Sequence, residues 1–237
     1  MTNYSHYLVL ALTTTIILLG SCNKDKVERI PGDYVAYYGL DGNAEDGSEY
    51  ENHGEVFGSV YPVVDRNGTE SGAMFFEESQ GYIEVGDSEE LKITRAISIS
   101  TWVRAEATQR GWNTIVNKWN GLRSEDGYYL GINSDGMVLR WNISYENVEV
   151  STPFPTESWV HVVATYDGFE LKIFMDGKMV SSKKYEGRID DHSAPFTLGT
   201  QSQRSFGHTN FHGAIDDVYV YDRALTDDEV MRLYLEN

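Results

Sequence analysis

About a dozen short apolar runs, almost regularly spaced and each closed by turn residues, fill most of the chain between residues 35 and 221. They are VAYYGL (35–40), AMFF (73–76), GYIEV (81–85), ISISTWVR (97–104), TIVNKW (114–119) and GYYLGIN (127–133). MVLRWNIS (137–144), WVHVVATYD (159–167), LKIFMD (171–176), KMVSSKKY (178–185), PFTLG (195–199) and IDDVYVY (215–221) complete the set. β-Branched and aromatic residues dominate them, as pleated, half-buried strands require. Ser134-Asp135-Gly136, Gly168-Phe169-Glu170 and Asp176-Gly177 separate neighbouring runs and read as hairpin turns. Short strands at this spacing predict an all-β fold, an antiparallel β-sandwich of the jelly-roll kind.

One helix is expected, over about 227 to 235. Thr226-Asp227-Asp228-Glu229 is a capping box, with Thr226 as N-cap and Glu229 three residues on. Leu225 and Val230 can form the hydrophobic staple, and the helix should bury Val230, Leu233 and Tyr234. Its three leading acids suit the positive helix N-terminus and need no other role.

The run 7–19 is uncharged and mostly apolar, too short to span a bilayer comfortably and of the length of a signal-peptide core. It ends in Leu19-Gly20-Ser21-Cys22, which resembles the bacterial lipobox, and Cys22 is the single cysteine of the chain. The expectation is a signal peptide over 1–21, lipidation of Cys22, a polar tether over 22–33 and one folded domain over 34–237. The segment before the apolar run, MTNYSHY, departs from the usual pattern in lacking Lys and Arg. Anchoring by two or three acyl chains would hold the protein to the cell envelope, with the outer membrane expected. No intramolecular disulfide can form. The net charge of −18 excludes nucleic acid as a natural partner and disfavours strongly anionic polysaccharides unless a cation bridges.

Several stretches resemble, in order, the laminin-G-like jelly-roll modules of the concanavalin A-like lectin/glucanase superfamily. They are YYGLDGNAEDGSEYENHGEV (37–56), SGAMFF (71–76), ISISTWV with Trp102, IVNKW, GYYLGIN, WVHVVATYDG with LKIFMDGKMV, and FHGAIDDVYVYDRALTDDEVMRLY (211–234). The resemblance runs from about residue 34 to 234. It implies a β-sandwich and, for a lipidated single module, a surface or periplasmic lipoprotein of a glycan-foraging bacterium. Trp102 and Trp159 read as core, and His161 as a satisfied, partly buried histidine between Val160 and Val162.

Catalysis has to be tested separately, because this fold hosts both enzymes and binding modules. The paired-glutamate strand of retaining glycosidases, E-x-D-x-E or E-x-D-x-x-E, is absent. So are the R-x-E-x-R strand of related lyases, the sialidase S-x-D-x-G-x-T-W box and the G-x-S-x-G elbow. The expected function is a non-catalytic, lectin-like carbohydrate-binding module, its glycan a neutral polysaccharide or glycoprotein sugar. A protein-interaction or adhesion module is the alternative. Sugar binding needs an aromatic platform with polar neighbours. The candidates are Trp112, Asn117, Lys118 and Trp119, with Arg140 and Asn142 from a strand whose other face, Leu139, Trp141 and Ile143, reads as core. The loop 201–212, with His208, Asn210 and His212, is a candidate rim, though not a zinc motif.

The strand IDDVYVY poses a question of its own. Strict alternation puts Asp216 beside Val218 and Val220, and Asp217 on the opposite face. A buried carboxylate needs a partner. The resemblance implies a structural calcium ion at such an Asp, and Asp41 and Asp46 could join Asp216 in holding it, since calcium gathers six to eight oxygens. A basic side chain or backbone amides could serve instead.

Overall fold

The computed structural model describes residues 31–78, 81–119, 127–133, 137–143, 149–190, 194–201 and 208–236. The signal-peptide run, Cys22 and the turn Ser134-Asp135-Gly136 lie outside the described residues.

The described chain forms β1 (Ala36–Tyr38), β2 (Gly54–Phe57), β3 (Val60–Val63), β4 (Ala73–Phe76), β5 (Tyr82–Val85), β6 (Ile97–Ala105), β7 (Trp112–Lys118) and β8 (Tyr128–Asn133). It continues with β9 (Val138–Ile143), β10 (Glu149–Pro153), β11 (Val160–Tyr166), β12 (Glu170–Met175), β13 (Lys178–Lys184), β14 (Phe196–Leu198), β15 (His208–Asn210), β16 (Gly213–Tyr221) and helix α1 (Asp227–Glu236). The first sheet runs β13-β12-β11-β6-β16-β4-β3, with β1 added on β16. The second runs β10-β9-β8-β7-β14-β5-β2, with β15 added on β7. Every pair is antiparallel except β15 with β7. The all-β sandwich read from the sequence is therefore the fold.

The inward faces of the two sheets make one core that includes Tyr38, Phe76, Ile99, Leu130, Trp141, Val162, Phe196 and Val220. Trp141 is fully buried, and its indole N–H donates 3.2 Å to the Thr165 carbonyl of the opposite sheet. That bond satisfies the polar end of the largest buried side chain and ties the layers together. A second cluster joins Val163, Phe174, Tyr219 and Tyr221, on the other face of the first sheet, to Val230 and Leu233 of α1. The capping box forms: the Thr226 amide donates 2.8 Å to Glu229 Oε2, and the Glu229 amide donates 3.3 Å to Thr226 Oγ1.

Sequence reading missed four strands. β2 and β3 show no buried position, so they lack a clean apolar signal. β10 carries Glu149 and Pro153 at the sheet edge, where a proline leaves no ladder bond unmade. β15 forms inside the segment read as a loop. Trp159 is a correction of another kind: it is half-buried, outside the core, with the Arg104 guanidinium 5.5 Å from its ring.

Alternation fails once where it matters. In β16, Ile215 and Val218 both face the core, although three residues apart. The pairing with β6 shifts register between Asp216 and Tyr219, and Asp217 sits at φ 47°. This bulge inserts one residue, so both acids leave on the face away from the core. The expectation that Asp217 opposes Asp216 is overturned by it.

Candidate functional site

The second sheet turns one face inward and builds a cavity on the other. In β9, Leu139, Trp141 and Ile143 are buried, while Arg140 and Asn142 alternate with them outward. In β8, Tyr128, Leu130 and Ile132 join the core, which sends Tyr129 and Gly131 outward. Register places Tyr129 beside Asn142, Gly131 beside Arg140, and Glu149 of β10 beside Asn142. The resulting cavity of about 520 Å³ is lined by Trp112, Trp119, Tyr129, Arg140, Asn142, Glu149 and Lys183. Its size falls within the roughly 300–1,000 Å³ usual for small-molecule sites.

Each wall has a physical reason. Arg140 Nη1 donates 2.9 Å to Glu149 Oε2, and its guanidinium lies 4.2 Å from the centre of the Trp112 ring. The ion pair and the stack hold a long side chain flat against the sheet. Tyr129 folds back over Gly131: a Cβ there would meet the phenol oxygen at 2.2 Å and the Asn113 carbonyl at 2.4 Å. Only glycine leaves that space. The phenol donates 3.3 Å to Asn113 O, and burial pushes its pKa upward, so it stays protonated. The Trp119 ring meets Tyr129 edge-on at 6.3 Å. Lys183 reaches the cavity from β13, the edge of the other sheet.

Of the six residues the sequence nominated for ligand contact, Trp112, Trp119, Arg140 and Asn142 line this one cavity. Asn117 and Lys118 do not, and this corrects the reading of them. Asn117 is fully buried, its amide donating to Trp119 O and Thr197 Oγ1. Lys118 is buried too, donating 3.1 Å to Asp87 Oδ1 and 2.6 Å to Ala194 O. Tyr129 was legible by the alternation that exposed Arg140. Glu149 and Lys183 arrive through strand pairing and sheet-edge contact, which no local pattern encodes.

Two of the three acids nominated for calcium have protein partners. Asp216 pairs with Arg66 Nη1, and Asp217 Oδ2 lies 2.7 Å from Arg66 Nη2. Arg66 stacks on Trp102 at 4.5 Å, and Tyr37 Oη donates 2.8 Å to Asp217. Asp46 is buried and accepts four bonds, from the amides of Tyr37, Ser48 and Asn52 and the Ser48 hydroxyl. It organises the loop that follows β1. Asp41 is exposed. Among the described residues no three carboxylate, histidine or cysteine groups gather as a metal set. As folded, one nominated carboxylate faces a guanidinium, and another accepts from three backbone amides and a hydroxyl.

His161 and, of the predicted rim, Asn210 and His212 are held by protein contacts, while the side chain of His208 lies outside the described residues. His161 is buried, its Nε2 lies 2.9 Å from Ser100 Oγ, and burial with the nearby Arg66 charge brings its pKa down to about 3. It is neutral. Asn210 is buried and bonds Thr200 Oγ1 and Gly81 O, while His212 packs edge-on against Phe75 and contacts Thr108. Neither lines the cavity.

Residues 77–231 match the family model described as the concanavalin A-like lectin/glucanases superfamily. A curated relative, the N,N-dimethylformamidase beta subunit of Paracoccus aminophilus, is 25% identical over 262 aligned positions. The match takes in 92% of this chain but only 34% of the relative, so the chain spans about a third of it. Among solved structures, domain 4 of an extracellular arabinanase from Geobacillus stearothermophilus, in complex with arabinotriose, superposes with a TM-score of 0.67 at 19% identity. That likeness covers 85% of this chain and 98% of the domain. The binding domain of botulinum neurotoxin DC in complex with SialylT gives 0.65 at 20% identity, covering 86% of this chain and 51% of that one. At such identities the likeness is one of fold.

Proposed function

The chain belongs to the concanavalin A-like lectin/glucanase superfamily, and on that premise we propose that it is a carbohydrate-binding, non-catalytic module of an envelope-anchored lipoprotein. The cavity on the second sheet carries the reading. It combines two indole rings with a guanidinium, an amide, a carboxylate and an ammonium at a size suited to a short oligosaccharide. Indole faces suit the apolar faces of sugar rings, and the polar groups suit their hydroxyls. The arabinanase domain with its arabinotriose and the toxin domain with its sialylated ligand support a sugar as the kind of ligand.

The non-catalytic part of the reading rests on the carboxylates. Glycoside hydrolysis by the common routes uses two carboxyl groups about 5–9.5 Å apart across the bond. Among the described lining residues Glu149 is the one carboxylate, and its oxygen is engaged by Arg140. Tyr129 holds its proton and is unsuited to act as a base. Lipidation at Cys22 and an outer-membrane location belong to the same proposal and rest on the lipobox.

A broad glycan panel probed with the full chain tests the binding function. Trp119→Ala and Trp112→Ala are expected to weaken capture by about 1–3 kcal/mol each, the scale of aromatic stacking on a ring. Trp141→Ala should instead lower stability by about 3–5 kcal/mol. Silence across the panel, with tight capture of one envelope protein, would favour the interaction-module reading.

A further inference from the structure

Charge in the cavity is not balanced. Arg140 and Glu149 neutralise one another at 2.9 Å. Lys183 lines the same cavity, and among the described residues its ammonium has no ion pair and no hydrogen bond. The Asn142 side-chain amide is likewise without a hydrogen-bond partner among the described residues, and it lies on the same wall. Among the described residues the cavity therefore presents one uncompensated positive charge and one uncommitted amide, on a chain whose net charge is −18. We propose that the glycan held here carries a carboxylate, seated against Lys183 with Asn142 beside it, so that the ligand is a sugar acid. The proposal rests on the glycan-binding reading and sharpens it.

The surrounding charge restricts the form of that acid. A polyanion would lay repeated negative charge over an acidic surface and be repelled. A single acidic sugar in a neutral chain places its one charge at Lys183 and its neutral rings against the indoles. The ion pair would sit at a partly enclosed rim, where screening is weaker than in open solvent. Uronic acids and nonulosonic acids share the required chemistry.

The test uses the full chain and matched probes: short neutral oligosaccharides ending in galacturonate, the same with the acid as its methyl ester, and a second pair ending in N-acetylneuraminate and its methyl ester. The acid is expected to bind about tenfold more tightly than its ester, the scale of one charge-assisted hydrogen bond, with the gap narrowing as salt rises. Lys183→Gln should erase the gap, while Lys184→Gln, which changes net charge equally from a residue outside the cavity, should keep it. A gap in one pair alone identifies the source of the acid. Equal binding of acid and ester by the wild type, or equal effects of the two lysine variants, overturns the proposal and leaves neutral-glycan binding intact. Failure of acids, esters and the neutral panel together overturns the proposal and the function beneath it.

Discussion

Asp216 shows how one residue's surroundings decide its chemistry. Two adjacent carboxylates meet one guanidinium, because the β16 bulge turns both to the same side. Arg66 can neutralise only one of them. Asp217 also accepts a hydrogen bond from Tyr37 Oη at 2.8 Å. Burial, and then the neighbouring Asp217 charge, push Asp216 up to about 8, with Arg66 opposing. The cluster thus holds a proton across the neutral range. The sign follows from linkage: in the unfolded chain this carboxyl titrates near 3.9. Between there and about 8 the folded state keeps a proton the unfolded chain has released, so stability falls as pH rises through that window. Asp216→Asn should flatten the slope between pH 4 and 8, read by denaturant melts of both proteins. Identical slopes would show that Asp216 is ionised in the native protein. Arg66→Met should cost about 1–3 kcal/mol at neutral pH, since it leaves Asp216 and the partly buried Asp217 without their shared guanidinium partner. In the same melts calcium and chelator should give one curve for the wild type. A calcium-dependent gain, near 2.7 kcal/mol at a hundredfold excess over Kd, would return the ion to this site.

At the scale of the element, β8 supplies the Tyr129 wall of the cavity, and Gly131 is its weak point. Any Cβ at this position strikes the Tyr129 ring and the Asn113 carbonyl. Gly131→Ala should destabilise by about 1–3 kcal/mol through overpacking and displace Tyr129 from the cavity wall. Glycan affinity should fall with it. A variant that binds normally while losing stability would separate the Tyr129 wall from the site. The same element shows what sequence could tell. GYYLGIN and MVLRWNIS gave their strands and faces by alternation, so Arg140, Asn142 and the buried Trp141 were legible. β7 was read as a strand but its faces were not: its register shifts between Thr114 and Val116, which defeats a strict two-residue period, and Asn117 and Lys118 end in buried bonds. The β16 bulge hid the common direction of Asp216 and Asp217 in the same way. Glu149 and Lys183 depend on which strands become neighbours, and neighbourhood is a property of the whole sandwich.

For the whole molecule the question is how the site is presented. The start of the described chain is fastened to the first sheet's end: Tyr221 Oη donates 3.2 Å to Pro31 O, and Arg223 bridges Asp33 at 2.8 Å and Glu229 of α1 at 2.8 Å. The cavity lies on the outward face of the second sheet. A lipid on Cys22 would therefore hold the domain by one layer and leave the sugar site on the other. The residues between, 23–30, can extend about 27 Å at most, so such an anchor would keep the domain close to the bilayer. Its negative surface would face anionic headgroups across that gap, and like charge would resist its lying flat. Growth with a radiolabelled fatty acid should label the wild type and leave Cys22→Ser unlabelled. Intact mass should show cleavage after Ser21 with acyl chains added, and the wild type should fractionate with membranes while the variant is released. An unlabelled wild type that keeps Met1 would remove the anchor, and with it the reason for a cavity turned away from the tethered sheet.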